Sequence, residues 1–142
     1  MASSEVPIEM NWKRFENFFA LYEELQKVPK LIYVIGELHH VYIGSVGCKG
    51  GAGGLAVRYE KQYVERSKAI FGSDNPYDQP AFAGTFVDSK GMTCENVGDI
   101  EDLVQWTFLQ GKSRDQALFS KRPSRRPNIG VRYCGDVPSF LK

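Results

Sequence analysis

Two tyrosines, Tyr33 and Tyr42, sit nine residues apart within the aliphatic runs Leu31–Ile35 and Val41–Ile43. Ile32, Val34, Val41 and Ile43 alternate with other residues, which predicts two short strands joined by a turn at Gly36-Glu37-Leu38-His39. An even-numbered turn centred between Glu37 and Leu38 pairs Tyr33 with Tyr42, Val34 with Val41 and Ile32 with Ile43. The aliphatic residues then share one face and both phenols the other, about 5 Å apart at Cβ. Such a pair can be ordinary cross-strand packing, or it can move a proton. A phenol with an ordinary pKa of about 10 is a poor base and needs a cation, a metal or a second phenol beside it. Arg58, in the first turn of a predicted helix, offers a permanent cation whose fork fits two phosphate oxygens, and Gln62 shares its face one turn later. Glu101 falls at the second position of another predicted helix, capped by Asp99, where unpaired backbone N–H groups favour an ionised carboxylate. One carboxylate with waters and a substrate phosphate is an open site of the kind Mg²⁺ or Mn²⁺ accepts; Glu101 can equally complement the helix dipole, and Asp102 competes with it as the ligand. A deprotonated water, a cation for the transition state and a metal for the leaving oxygen are what phosphodiester hydrolysis requires.

The segments Leu31-Ile32-Tyr33 and Tyr42-Ile43-Gly44-Ser45, followed by Leu55-x-x-Arg58 opening a helix and Glu101 near the start of a later one, together resemble the GIY-YIG nuclease family over about residues 31–110. The resemblance implies a mixed α/β (α+β) fold, a small, mostly antiparallel three-stranded sheet flanked by helices. It also implies a divalent-metal-dependent endonuclease in which Tyr33, Tyr42, Arg58 and Glu101 are catalytic and Glu101 holds Mg²⁺ or Mn²⁺. Asn128 is the polar candidate for the asparagine this family keeps after its glutamate helix. Leu31 stands where the first motif usually has glycine, and Gln62 where a histidine is common. These two departures suggest the rival expectation, a nucleic-acid-binding module that keeps the fold without turnover.

The elements that must position these residues follow from periodicity and breakers. Trp12, Phe15, Phe19 and Tyr22 recur at spacings of three and four, which predicts an N-terminal helix over 11–28, stopped by Pro29. A glycine-dense loop, Gly47–Gly54, leads into a predicted helix over 55–71. A polar segment over 73–80, a strand over 82–87 and a loop over 88–98 come next. Ile100, Leu103, Val104, Thr107 and Phe108 predict the helix over 99–110; Ser113 starts a short further one, and 131–134 gives a weak strand signal. The order α-β-β-α-β-α indicates a small sheet covered by helices in a single domain. Gly51-Ala52-Gly53-Gly54-Leu55-Ala56 formally fits a dinucleotide fingerprint, but polar residues 73–76 follow where a buried parallel strand is required, and no P-loop is present.

With 142 residues, 42% apolar and 25% charged, the chain is too hydrophobic for a disordered tail and too polar for a membrane protein. The net charge of +1 hides an asymmetry: residues 1–111 carry 10 Lys/Arg against 15 Asp/Glu, whereas residues 112–132 carry seven Lys/Arg against Asp115 alone. A basic run broken by Pro123 and Pro127 suits phosphate tracking, or is simply a solvated loop. Lys49, Gln62, Arg122, Arg125, Arg126 and Asn128 are the candidate contacts to nucleic acid, with double-stranded DNA the expected partner and a homodimer left open. Cys48, Cys94 and Cys134 form no C-x-x-C pair, so neither a disulfide framework nor a zinc site is expected, and His39-His40 read as turn residues. The opening residues lack signal-peptide features, and an intracellular protein, cytoplasmic or nuclear, is expected.

Overall fold

The computed structural model describes residues 7–36, 41–46, 79–110 and 123–142. These form strand β1 (Ile8–Phe15), helix α1 (Phe18–Leu25), strands β2 (Leu31–Ile35), β3 (Tyr42–Val46) and β4 (Ala81–Phe86), helix α2 (Cys94–Gln110) and strand β5 (Val131–Gly135). Two single-turn 3₁₀ segments, Ser89–Gly91 and Ser139–Leu141, complete the described elements. The five strands lie in the order β3-β2-β4-β1-β5. All pairings are antiparallel except β1 with β5. The expected mixed α/β architecture is present, but the sheet is five-stranded and mixed rather than three-stranded.

The two extra strands arise where the sequence expectation is wrong or weak. Residues 8–15 are a strand, not the first turns of a helix. Met10 and Trp12 alternate inward with exposed Glu9, Asn11 and Lys13, and the strand pairs with β4 on one side and β5 on the other. Asn17 sets the boundary: its Oδ1 accepts the Ala20 N–H at 2.9 Å, an N-cap that starts α1 at Phe18. The aromatic spacing that suggested one long helix therefore spans a strand and a helix. Phe18 and Leu21, rather than Phe19, are the buried residues of α1, and Phe19 is 49% exposed. At the other end, residues 131–135 do form a strand, aligned parallel to β1 from Ile8↔Val131 to Trp12↔Gly135. Gly135 (φ +84) ends it where a side chain would run into the backbone of Trp12, and the next residue's N–H donates to the Trp12 carbonyl at 2.8 Å.

The hairpin keeps the expected faces but in a register shifted by two. Ile35 opposes Tyr42, Val34 opposes Ile43 and Tyr33 opposes Gly44. A two-residue shift preserves side-chain parity, so Ile32, Val34, Val41 and Ile43 still share one face. Helix α2 covers that face with Val97, Ile100, Val104 and Phe108, joined by Met10, Trp12, Phe82 and Phe86 of β1 and β4. On the opposite face Tyr33, Tyr42, Leu31 and Ile35 pack with Ala81, Ala83, Phe15 and the α1 residues Phe18 and Leu21. With both faces covered, every residue of β2 is buried.

Helix α2 begins five residues before Asp99. Thr93 and Asn96 cap it reciprocally: the Asn96 N–H donates to Thr93 Oγ1 at 3.0 Å and the Thr93 N–H to Asn96 Oδ1 at 3.2 Å. Residues 94–98 of the expected loop over 88–98, Gly98 included, belong to the helix. Cys94 is disulfide-bonded, while Cys134 is free and exposed. The expectation that no disulfide is present is thus corrected at Cys94. Among the described residues, no helix is long and apolar enough to cross a membrane.

Candidate functional site

The glutamate singled out by sequence lies where α2 crosses the hairpin. Because α2 starts at Cys94, Glu101 is in the second helical turn; the first-turn acid is Glu95, and the dipole argument for Glu101 does not hold. Its surroundings replace that argument. Ser45, which shares the face of Ile43 on β3, donates its hydroxyl to Glu101 Oε1. Gln105, one helical turn on, donates from Nε2 to Glu101 Oε2 at 3.0 Å and to the Ile43 carbonyl at 3.3 Å. Glu101 itself stays half-buried. Its carboxylate is thereby fixed over the strand that carries Tyr42-Ile43-Gly44-Ser45.

The two tyrosines lie across the sheet from this carboxylate. Their rings stack at 6.0 Å with 20° between planes, and Phe18 of α1 adds a second ring 5.2 Å from Tyr33. Tyr33 is fully buried and Tyr42 is 5% exposed. The ring of Tyr33 lies directly on Gly44, its cross-strand partner, where a Cβ would stand 2.5 Å from Tyr33 Cζ. The same device recurs between Trp12 and its partner Gly84, whose Cβ would meet the indole at 2.8 Å. The glycine of the second motif thus has a packing reason here. Arg58, Gln62, Lys49 and Arg122 lie outside the described residues, as do the glycine loop, the predicted helix over 55–71 and His39-His40.

Three of the remaining candidates come together. Arg125, Arg126 and Asn128 line an open cleft of about 600 Å³ whose other wall is Asp99 and Asp102 of α2, with Pro123, Ser124 and Pro127 between them. Residues 123–128 of the basic segment therefore lie beside the helix that bears Glu101, although Glu101 is not part of the cleft wall. Both arginines are exposed. Arg132, also in the basic segment, is instead on β5 and faces Glu9 at 3.5 Å in an exposed pair.

Two residues that matter here, Ser45 and Gln105, were not singled out by side-chain chemistry. Ser45 was legible from parity, since it is two residues from Ile43 on the same face. Gln105 was legible only as the i+4 partner of Glu101.

Glu101 is the carboxylate this donor set offers to a divalent ion. Each Glu101 oxygen accepts one of these two hydrogen bonds, and a carboxylate has about four acceptor positions. Hard cations such as Mg²⁺ bind through one or two carboxylates plus waters and phosphate oxygens. Among the described residues no group of three or more His, Cys, Asp or Glu could hold an ion, so the fit rests on Glu101 with water and substrate oxygens. Compared with known proteins, the chain matches no family model, no curated sequence and no solved structure.

Proposed function

We propose that this protein is a divalent-metal-dependent endonuclease of the GIY-YIG type that hydrolyses phosphodiester bonds in DNA. The observation that carries the proposal is the Glu101 carboxylate, half-buried and held by Ser45 and Gln105 against the strand bearing Tyr42-Ile43-Gly44-Ser45. A preorganised carboxylate at one end of a helix–strand crossing is what a catalytic Mg²⁺ or Mn²⁺ needs from a protein. When bound, the ion supplies charge for the leaving oxygen and lowers the pKa of a coordinated water. Glu101 would hold it. Arg58 would neutralise charge on the transferring phosphate, and Arg125, Arg126 and Asn128 would track the backbone of the substrate from their cleft. Tyr33 and Tyr42, the proton acceptors expected from the sequence, are buried on the opposite face of the sheet and are assigned no proton transfer at Glu101.

One observation favours a second reading, a binding module without turnover: the phenols lie across the sheet from Glu101 and are buried. A phenol so placed cannot take a proton from a water held at Glu101. Incubating the pure protein with supercoiled, linear and branched DNA and with RNA, in Mg²⁺ or Mn²⁺, separates the two. Nicked or linear products that require the metal are expected; binding without any cleavage supports the module.

A further inference from the structure

We infer that Gln105 is a positioning residue that braces the Glu101 carboxylate, a role that rests on the proposed nuclease function for what the carboxylate then does. Gln105 is the one buried polar or charged residue in the described core, 1% exposed on the face of α2 that meets the sheet. An apolar side chain is the ordinary occupant of such a position, as Val97, Ile100, Val104 and Phe108 are on the same helix.

The orientation of the amide follows from its two acceptors. Nε2 donates to two acceptors at once, Glu101 Oε2 at 3.0 Å and the Ile43 carbonyl at 3.3 Å, so exchanging the amide oxygen and nitrogen would set an acceptor against two acceptors. This orientation leaves Gln105 Oε1 buried with no hydrogen-bond partner among the described residues. A buried carbonyl without a partner costs stability that a methionine or leucine would not. What the position gains is a two-point link. One end holds the carboxylate; the other is anchored on the backbone of β3, the outermost described strand of the sheet on that side.

Ser45 completes the brace from the strand side, through its hydroxyl to Glu101 Oε1. Each carboxylate oxygen is thereby tied to the hairpin by a separate donor, one direct from β3 and one through Gln105. Without Gln105 the carboxylate keeps only the serine and can rotate away. Groups that orient a metal ligand in this manner commonly control affinity by tenfold or more.

Gln105→Met conserves length and removes the donor. It is expected to remain folded, to bind Mn²⁺ at least tenfold more weakly by titration calorimetry, and to regain cleavage when Mn²⁺ is raised to saturation. Glu101→Gln is expected to regain nothing at any metal concentration. A second readout needs no metal: the side-chain amide signals of Gln105 in an ¹⁵N–¹H spectrum should move when Glu101 is replaced by Ala, because one of their two acceptors is gone. Amide signals unmoved by Glu101→Ala, or Mn²⁺ affinity unchanged in Gln105→Met, overturn the brace. Moved amide signals in a wild-type protein that binds no Mn²⁺ keep the brace and overturn the nuclease function instead.

Discussion

At the scale of single residues, Tyr133 shows what burial alone does to a titrating group. Burial pushes its phenol up to about 12, with the nearby Arg126 guanidinium pulling partly the other way. Its ring meets Trp12 edge-on at 6.1 Å, on the core face of the β1–β5 pair. The unfolded chain loses this proton near the ordinary value of about 10, so the stability it contributes is complete below about pH 10 and is lost as pH rises towards about 12. Denaturant unfolding of wild type and Tyr133→Phe between about pH 9 and about pH 11.5 should show wild type losing about 2 kcal/mol more than the variant across that window. Equal losses would mean that Tyr133 is ionised in the folded protein as easily as in the unfolded one. The chemistry-bearing residues were legible by type at this scale, but not their company. Side-chain parity along a strand gave the shared face of Tyr33 and Tyr42, yet which helix covers which face depends on the path of the chain between elements. Glu101 and the tyrosines consequently fall on opposite sides of one sheet. Gln105 was hidden for a related reason: an apolar stripe is read by selecting apolar residues, and a buried glutamine is discarded by that selection.

At the scale of elements, the N-terminal region turns on one asparagine. Trp12, Phe15, Phe19 and Tyr22 have helical spacing, but Met10 and Trp12 also have strand spacing, and the pairing partners on β4 and β5 are remote in sequence. Periodicity over a short apolar segment does not choose between these; tertiary pairing does. Asn17 was the local signal for the boundary, since its side chain accepts the Ala20 N–H and starts the helix there. Asn17→Ala should cost about 1 kcal/mol of global stability, read as a lower urea midpoint with an unchanged slope. No change in midpoint would remove the cap from the account of why the strand ends at Phe15. The start of α2 teaches the same lesson in reverse. Thr93 and Asn96 were present as a reciprocal cap, but the expected loop over 88–98 took in the cap and the first turn.

At the scale of the whole molecule, the charge asymmetry of the sequence becomes a placement. Arg125 and Arg126 are exposed and face Asp99 and Asp102 across the cleft, so their positive field is partly offset locally and acts at short range. Neutralising Arg125 and Arg126 together should weaken binding to duplex DNA across all sequences and flatten the dependence of log affinity on log salt by up to about two units. A binding titration at several salt concentrations measures both, and an unchanged slope would assign DNA contact to another surface. The sheet order was not legible from sequence, because β1 and β5, its two added strands, come from opposite ends of the chain and neither makes a local pair. The hairpin and its covering helix were legible, and they hold Glu101. Cleavage of supercoiled plasmid by wild type and Glu101→Gln, each with Mg²⁺, with Mn²⁺ and with excess EDTA, and with DNA affinity measured alongside, tests the proposed function most directly. Metal-dependent nicking by wild type that EDTA abolishes is expected, with no nicking by Glu101→Gln at nearly unchanged DNA affinity and melting temperature. Cleavage by Glu101→Gln at the wild-type rate, or cleavage by wild type that persists in EDTA, would contradict the proposed function.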